Sequence, residues 1–181
     1  MATFGSRPSI RMIKKKWIVA LLSTLMLLPI NLVAKKYPFA INSQREVYHT
    51  RSTVEGTKML KVIAYGKNAD AAIEQAMVDA VAALTFDGAI GQGEMESCPA
   101  VLLNGREVYL QNKSFFDTFF KKGDFLKYVE KVNSTYPLGP DNVKTNKGRR
   151  IQILLIVDWK GLAEYFKEAG FKTTVSGLSN Y

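Results

Sequence analysis

Met59-Leu-Lys-Val-Ile-Ala-Tyr-Gly66, followed by Lys-Asn-Ala-Asp-Ala-Ala-Ile-Glu-Gln-Ala-Met-Val-Asp-Ala-Val-Ala-Ala-Leu84, decides the fold. The first part is a short apolar run rich in β-formers that stops at a glycine, the pattern of a strand leaving a sheet. In the second part Asn68 stands where a helix N-cap belongs, and Asp70 places negative charge in the first turn, where the helix dipole favours it. Ala69, Ala72, Ile73, Ala76, Met77, Ala80, Val81 and Leu84 recur at spacings of three and four, one apolar stripe that runs on to Phe86. Because the stripe is largely alanine, the helix can lie close against a sheet. Its other side carries Asp70, Glu74, Gln75 and Asp79, which read as a solvated helix face rather than an acid/base pair.

Further along, Arg149-Arg-Ile-Gln-Ile-Leu-Leu-Ile-Val-Asp-Trp159 is the strongest strand pattern in the chain, and Phe125-Leu-Lys-Tyr-Val-Glu-Lys-Val132 has a strand's composition. A polar turn region from Asn133 to Gly148 joins them, which predicts an antiparallel hairpin. Ser114 is the expected cap of a short helix, Phe115 to Lys122, closed by Gly123. Its Phe115, Phe116, Phe119 and Phe120 lie at helical spacing and read as core. Asp158 is the expected N-cap of a last helix through Ala169, with Leu162, Tyr165, Phe166 and Ala169 as its buried stripe and Gly170 as its stop. The prediction is therefore an α+β domain, a single sheet of about three to four strands with helices packed on one face, in the order β-α-α-β-β-α.

Upstream, Lys14, Lys15 and Lys16 run into Trp17-Ile-Val-Ala-Leu-Leu-Ser-Thr-Leu-Met-Leu-Leu-Pro-Ile-Asn-Leu-Val-Ala34. A basic segment, a short apolar core and a small terminal residue make a secretory signal. The reading is a signal peptide over 1–34, with Met12 as an alternative start and Ala34 as the expected cut. The alternative is an uncleaved inner-membrane anchor over 17–34, although a span takes about 20 apolar residues and Pro29 and Asn31 interrupt this run. The organisation expected after Ala34 is an extended lead-in over 35–57, where Val47 to Val54 can add an edge strand, one domain over 58–172 and a tail over 173–181. The protein is thus expected in the periplasm of a bacterial envelope, or outside the cell.

Charge obeys the same partition. The chain carries 25 Lys+Arg against 16 Asp+Glu, a net +9, but five of the bases and none of the acids precede Lys35. The remainder is only +4, too mild for a nucleic-acid binder, whose domain pI usually exceeds about 9. Cys98 is the sole cysteine, so no internal disulfide framework exists. A Cys-His nucleophile would need His49, the sole histidine, which falls in a polar stretch without sustained periodicity. No metal-ligand spacing, nucleophile elbow or cofactor loop is present, and the glycines of Gly88 to Gly93 come after a helix instead of opening one.

The least regular part is Gly88 to Asn112, and long loops inside a compact domain are often functional. Met95, Leu102, Leu103 and Tyr109 are therefore the candidate recognition residues. Lys144, Lys147, Arg149 and Arg150 form a candidate basic patch at the hairpin end, suited to an anionic envelope surface or to keeping a sheet edge soluble. Asp87, Glu94 and Glu96 are the carboxylates that a glycan hydrolase would need, held about 5 to 10 Å apart.

The pieces Val62-Ile-Ala-Tyr-Gly66, the alanine-rich helix Ala69 to Phe86, Ser114-Phe-Phe-Asp-Thr-Phe-Phe-Lys-Lys-Gly-Asp-Phe-Leu-Lys-Tyr-Val129, Arg149 to Asp158 and Leu162 to Gly170, in that order, resemble the N-terminal domain of the flagellar assembly protein T and related small outer-membrane lipoproteins. The resemblance spans roughly Met59 to Phe171 and lies in element order, not in a motif. It differs in lacking a lipoprotein cysteine and in its longer Gly88 to Cys98 segment. It implies a non-enzymatic envelope module that binds other proteins, with no catalytic residues to carry over and no cofactor. Partners among envelope proteins are expected, and the oligomeric state is left open.

Overall fold

The β2-α1 unit forms as its sequence dictates. In the computed structural model, which describes residues 35–52, 56–133 and 137–174, β2 spans Thr57–Gly66 and α1 spans Ala69–Ala82. The Asn68 side chain accepts a hydrogen bond from the Ala71 amide at 2.9 Å. A Cβ on Gly66 would lie 2.3 Å from the Ala72 amide nitrogen, so only glycine lets the strand turn so closely into the helix. Beyond Ala82 the helix widens into a π-turn, Ala83–Asp87, closed by Gly88.

β2 lies antiparallel to β6 (Gly148–Asp158) along its whole length, from Thr57 opposite Asp158 to Gly66 opposite Arg149. Leu60, Val62 and Ala64 on one strand and Ile151, Ile153, Leu155 and Val157 on the other point to the same side and are buried. There they meet Ala72, Ile73, Ala76 and Ala80 of α1, the close layer that small side chains permit.

The sheet is α+β in kind but larger than three to four strands. Six strands run in the order β3-β1-β2-β6-β4, with β5 also on β6, and β1 and β3 are parallel. β1 is Glu46–Ser52, β3 is Ile90–Gly91, β4 is Val129–Lys131 and β5 is Asn142–Thr145. The strand expected over Val47 to Val54 is thus β1, and it is not the last in the order, because β3 pairs outside it at Tyr48 and His49. The remaining helices among the described residues are α2 (Gly105–Gln111), α3 (Lys113–Lys122) and α4 (Trp159–Glu168). Asp158 caps α4 through a 2.8 Å bond from the Gly161 amide, as the sequence predicts.

Four local expectations are corrected. The irregular Gly88 to Asn112 segment contains a helix, α2, whose short length and left-handed start at Asn104 hide its period. Ser114 does not cap α3. Asn112 occupies that position and turns its amide back to the Val108 carbonyl at 3.0 Å, so α2 runs almost directly into α3. Phe125 to Tyr128 is no strand but part of a 3-10 turn, Asp124–Tyr128, set off by the left-handed Gly123, which buries Phe125 in the helical layer. Only Val129–Lys131 then pairs with β6, in the antiparallel sense expected, while the tight hairpin belongs to β5 and β6.

The lead-in over 35–57 is extended at its start, yet it packs. Phe39 stacks on Phe120 with ring centroids 4.1 Å apart, and Tyr37 meets Phe125 edge-on at 5.2 Å. Residues from Lys35 onward cluster as one compact unit. Of the phenylalanines of α3, Phe116, Phe119 and Phe120 are core as read, buried against Phe86, Phe125 and Phe166, while Phe115 is half-buried against Tyr165 and Phe171. Among the described residues no helix is long and apolar enough to cross a membrane. The 17–34 run, the Ala34 cut and the tail beyond Thr174 lie outside those residues.

Candidate interaction face

Every strand has two sides, and this sheet carries its α-helices on one, while the 3-10 turn Gly139–Asp141 borders the other, where Gln152 donates to Asp141 at 2.9 Å. The other side presents Met59, Lys61, Ile63 and Tyr65 from β2, Arg150, Gln152, Leu154 and Ile156 from β6, and Tyr48 from β1, all half-buried or exposed. Leu154 is 39% exposed and Tyr65 54%. The alternation along β6 is strict from Ile151 to Asp158, each buried residue followed by one that is not.

Register fixes how these side chains line up across the sheet. Arg51 lies opposite Met59, Met59 opposite Ile156, and Ile156 opposite Glu130, one row from β1 to β4. A second row runs Tyr48, Lys61, Leu154, and continues at Val132, whose amide donates to the Leu154 carbonyl at 3.2 Å. Lys61 sits over the Tyr48 ring at 5.4 Å. A depression of about 370 Å³ lies beside this row, lined in part by Lys61, Val132, Leu138, Asp141, Gln152 and Leu154. Arg51 reaches this side only because the β1/β2 register shifts between His49 and Arg51. A bulge adds one residue and re-aims the side chains beyond it, so His49 points to the helices and Arg51 away from them.

The candidate recognition residues do not form one surface. Leu102 and Tyr109 are buried, Leu102 bridging to Thr173 and the Tyr109 hydroxyl donating to Asp117 at 3.0 Å. Met95 is half-buried and Leu103 exposed. The candidate basic patch is divided by the pleat: Lys144 faces Arg149 on the helix side, Arg150 lies opposite Tyr65 on the other, and Lys147 is in the turn. Arg149 donates to Asn142 at 3.0 Å.

Of the carboxylates near the Gly88 segment, Asp87 is held by Arg45 at 3.2 Å and by Arg106 at 2.9 Å, while Glu94 and Glu96 are exposed. His49 is buried in β1 instead of lying in irregular chain; its Nδ1 is 2.8 Å from the Glu96 carbonyl oxygen, and Ser52 Oγ is 3.4 Å from Nε2. A carbonyl can only accept, so Nδ1 carries the proton. Cys98 is buried, which pushes its thiol up and away from the reactive thiolate.

One ionic cluster, absent from the sequence expectations, lies under the lead-in. The Arg45 side chain, 4% exposed, donates to the carbonyls of Ala40 at 2.6 Å and Ile41 at 3.3 Å and pairs with Asp87, with Nε 3.6 Å from Asp79. Asp79, read from the sequence as part of a solvated face, is buried beneath it. Burial pushes the Asp79 carboxyl up to about 6, against the pull of the Gln75 amide and Arg45. Arginine at 45 was the available signal, an isolated cation between the apolar Phe39-Ala-Ile41 and β1.

Comparison with known protein families, with curated proteins and with solved structures finds no match for this chain.

Proposed function

We propose that this protein is an exported, non-enzymatic protein of the cell envelope that acts as a protein-binding or assembly module, and that it makes its protein contacts through the uncovered sheet face. The observation that carries the reading is the row Arg51, Met59, Ile156, Glu130, in which two large apolar side chains stand between opposite charges on a face that no α-helix covers. Apolar side chains at the centre and charges at the rim are how protein interfaces are built. The basic and apolar run Lys14 to Ala34 supports export, and the resemblance to envelope assembly domains supports the class.

A photo-crosslinking residue at Leu154, with a control at the exposed Lys167 on α4, tests this in cells expressing the full chain. The expected outcome is a discrete crosslinked protein from position 154 and none from 167, on a protein that has lost the residues through Ala34. Crosslinks of equal strength from both positions, or an intact chain in the cytosol, would overturn the reading.

A further inference from the structure

The row Arg51, Met59, Ile156, Glu130 reads basic, apolar, apolar, acidic, and is its own complement when reversed. Within one chain its two ends cannot pair, because three strand spacings of about 4.8 Å separate them by roughly 14 Å. We infer that the occupant of this face is a second copy of the same chain, packed sheet to sheet about a two-fold axis that runs along the strands between β2 and β6. This inference rests on the reading of that face as the contact surface.

Such an axis leaves each row over itself with its ends exchanged. Arg51 then faces the second copy's Glu130, and Glu130 its Arg51, giving two opposite-charge contacts at the rim. Between them Met59 faces the second copy's Ile156, and Ile156 its Met59. In the next row Tyr48, with the exposed Ile90 of β3 beyond it, comes over the second copy's depression beside Val132 and Leu138. That is the isologous contact a two-fold requires, in the aligned geometry of stacked sheets. The face and its border balance Arg51, Lys61 and Arg150 against Glu46, Glu130 and Asp141. This mosaic offers no net field to an anionic lipid or nucleic acid and suits a protein surface of the same kind.

Four strands, of which β4 is only three residues long, by at most seven residues make a face of no more than roughly 19 Å by 23 Å. That is the small end for a specific interface, so association in the micromolar range is expected. Sedimentation velocity on the processed protein, exported from cells expressing the full chain, should show a concentration-dependent dimer. Arg51→Glu and Glu130→Arg should each weaken it at least about tenfold, since each places like charges opposite one another. An equimolar mixture of the two variants should associate again, because one rim then pairs the two introduced side chains and the other rim the two native ones. The double variant R51E/E130R should dimerise by itself. Recovery in the mixture also shows that both variants are folded.

A native protein that stays monomeric overturns the inference, as does a dimer that neither substitution weakens or a mixture that fails to associate. In any of these cases, crosslinking from Leu154 to a different protein keeps the face as a contact surface. No crosslink from Leu154 removes both readings.

Discussion

The two faces of the β2-β6 ribbon are made of similar residues and live differently. On the helix side, Leu60, Val62, Ile151 and Leu155 are sealed under α1 and the aromatic layer of α3 and α4. On the other, Met59, Ile63, Leu154 and Ile156 alternate with Lys61, Gln152 and Arg150 and stay half in water. Apolar content alone does not tell a core from a contact surface. What separates them is company: one face meets alanines and rings, the other is interrupted by charge.

Substitutions can break this contrast. Phe120→Ala should cost the most, about 3 to 5 kcal/mol, because it empties the centre of the aromatic layer between Phe39 and Phe125. Urea denaturation would measure it. Gly66→Val should come next at about 2 kcal/mol or more, since its Cβ would be driven into the first turn of α1; equal stability to the parent would mean that the strand and helix are not so closely joined. On the uncovered face, Leu154→Ala should change the unfolding free energy least, by less than about 1 kcal/mol, while weakening any contact made there. A loss comparable to that of Phe120→Ala would show that the two faces are equally part of the core.

Between these extremes lies a pH effect confined to the helix side. Asp79 titrates at about 6 in the folded chain, above the 3.8 of a free carboxyl, so the folded state holds the proton more tightly. Its burial therefore costs stability at neutral pH, and that cost is relieved as pH falls from about 7 towards 4. Asp117 acts in the opposite sense. Its own burial would push it up, but hydrogen bonds from Lys113, Lys121 and Tyr109 outweigh that and hold it at about 2. Its contribution is present above 3.8 and is lost as pH falls towards 2. Thermal melts should therefore show stability rising from pH 7 to 5 and falling below 4. Asp79→Asn should flatten the first limb, raising stability at pH 7 by on the order of 2 kcal/mol if Arg45 keeps Asp87 and its two carbonyls. A melt profile that is unchanged from pH 7 to 5 in the parent would show Asp79 to be solvated after all.

Much of the scaffold was legible. β2, α1, β6 and α4 each carry a period and a cap or a stopping glycine, and all four stand where residues 59–66, 69–86, 149–158 and 158–169 place them. The elements that escaped did so for physical reasons. α2 is seven residues long and begins at a left-handed Asn104, too short for its apolar positions to repeat. β3 and β5 owe their existence to pairing, not to composition. The uncovered face was hidden because Ile-Leu-Leu-Ile-Val, read as a run, looks buried on both sides; only Arg150 and Gln152 reveal that alternate positions reach water. Tyr109 and Leu102 looked like a recognition loop because the aromatic neighbours that enclose Tyr109, Phe39, Phe86 and Phe116, come from three separate stretches of chain.

The outer strands have a last consequence. β3, β4 and β5 are two, three and four residues long. Such stubs present few free amides and carbonyls to template another strand, so among the described residues the outermost strands offer little for lateral pairing.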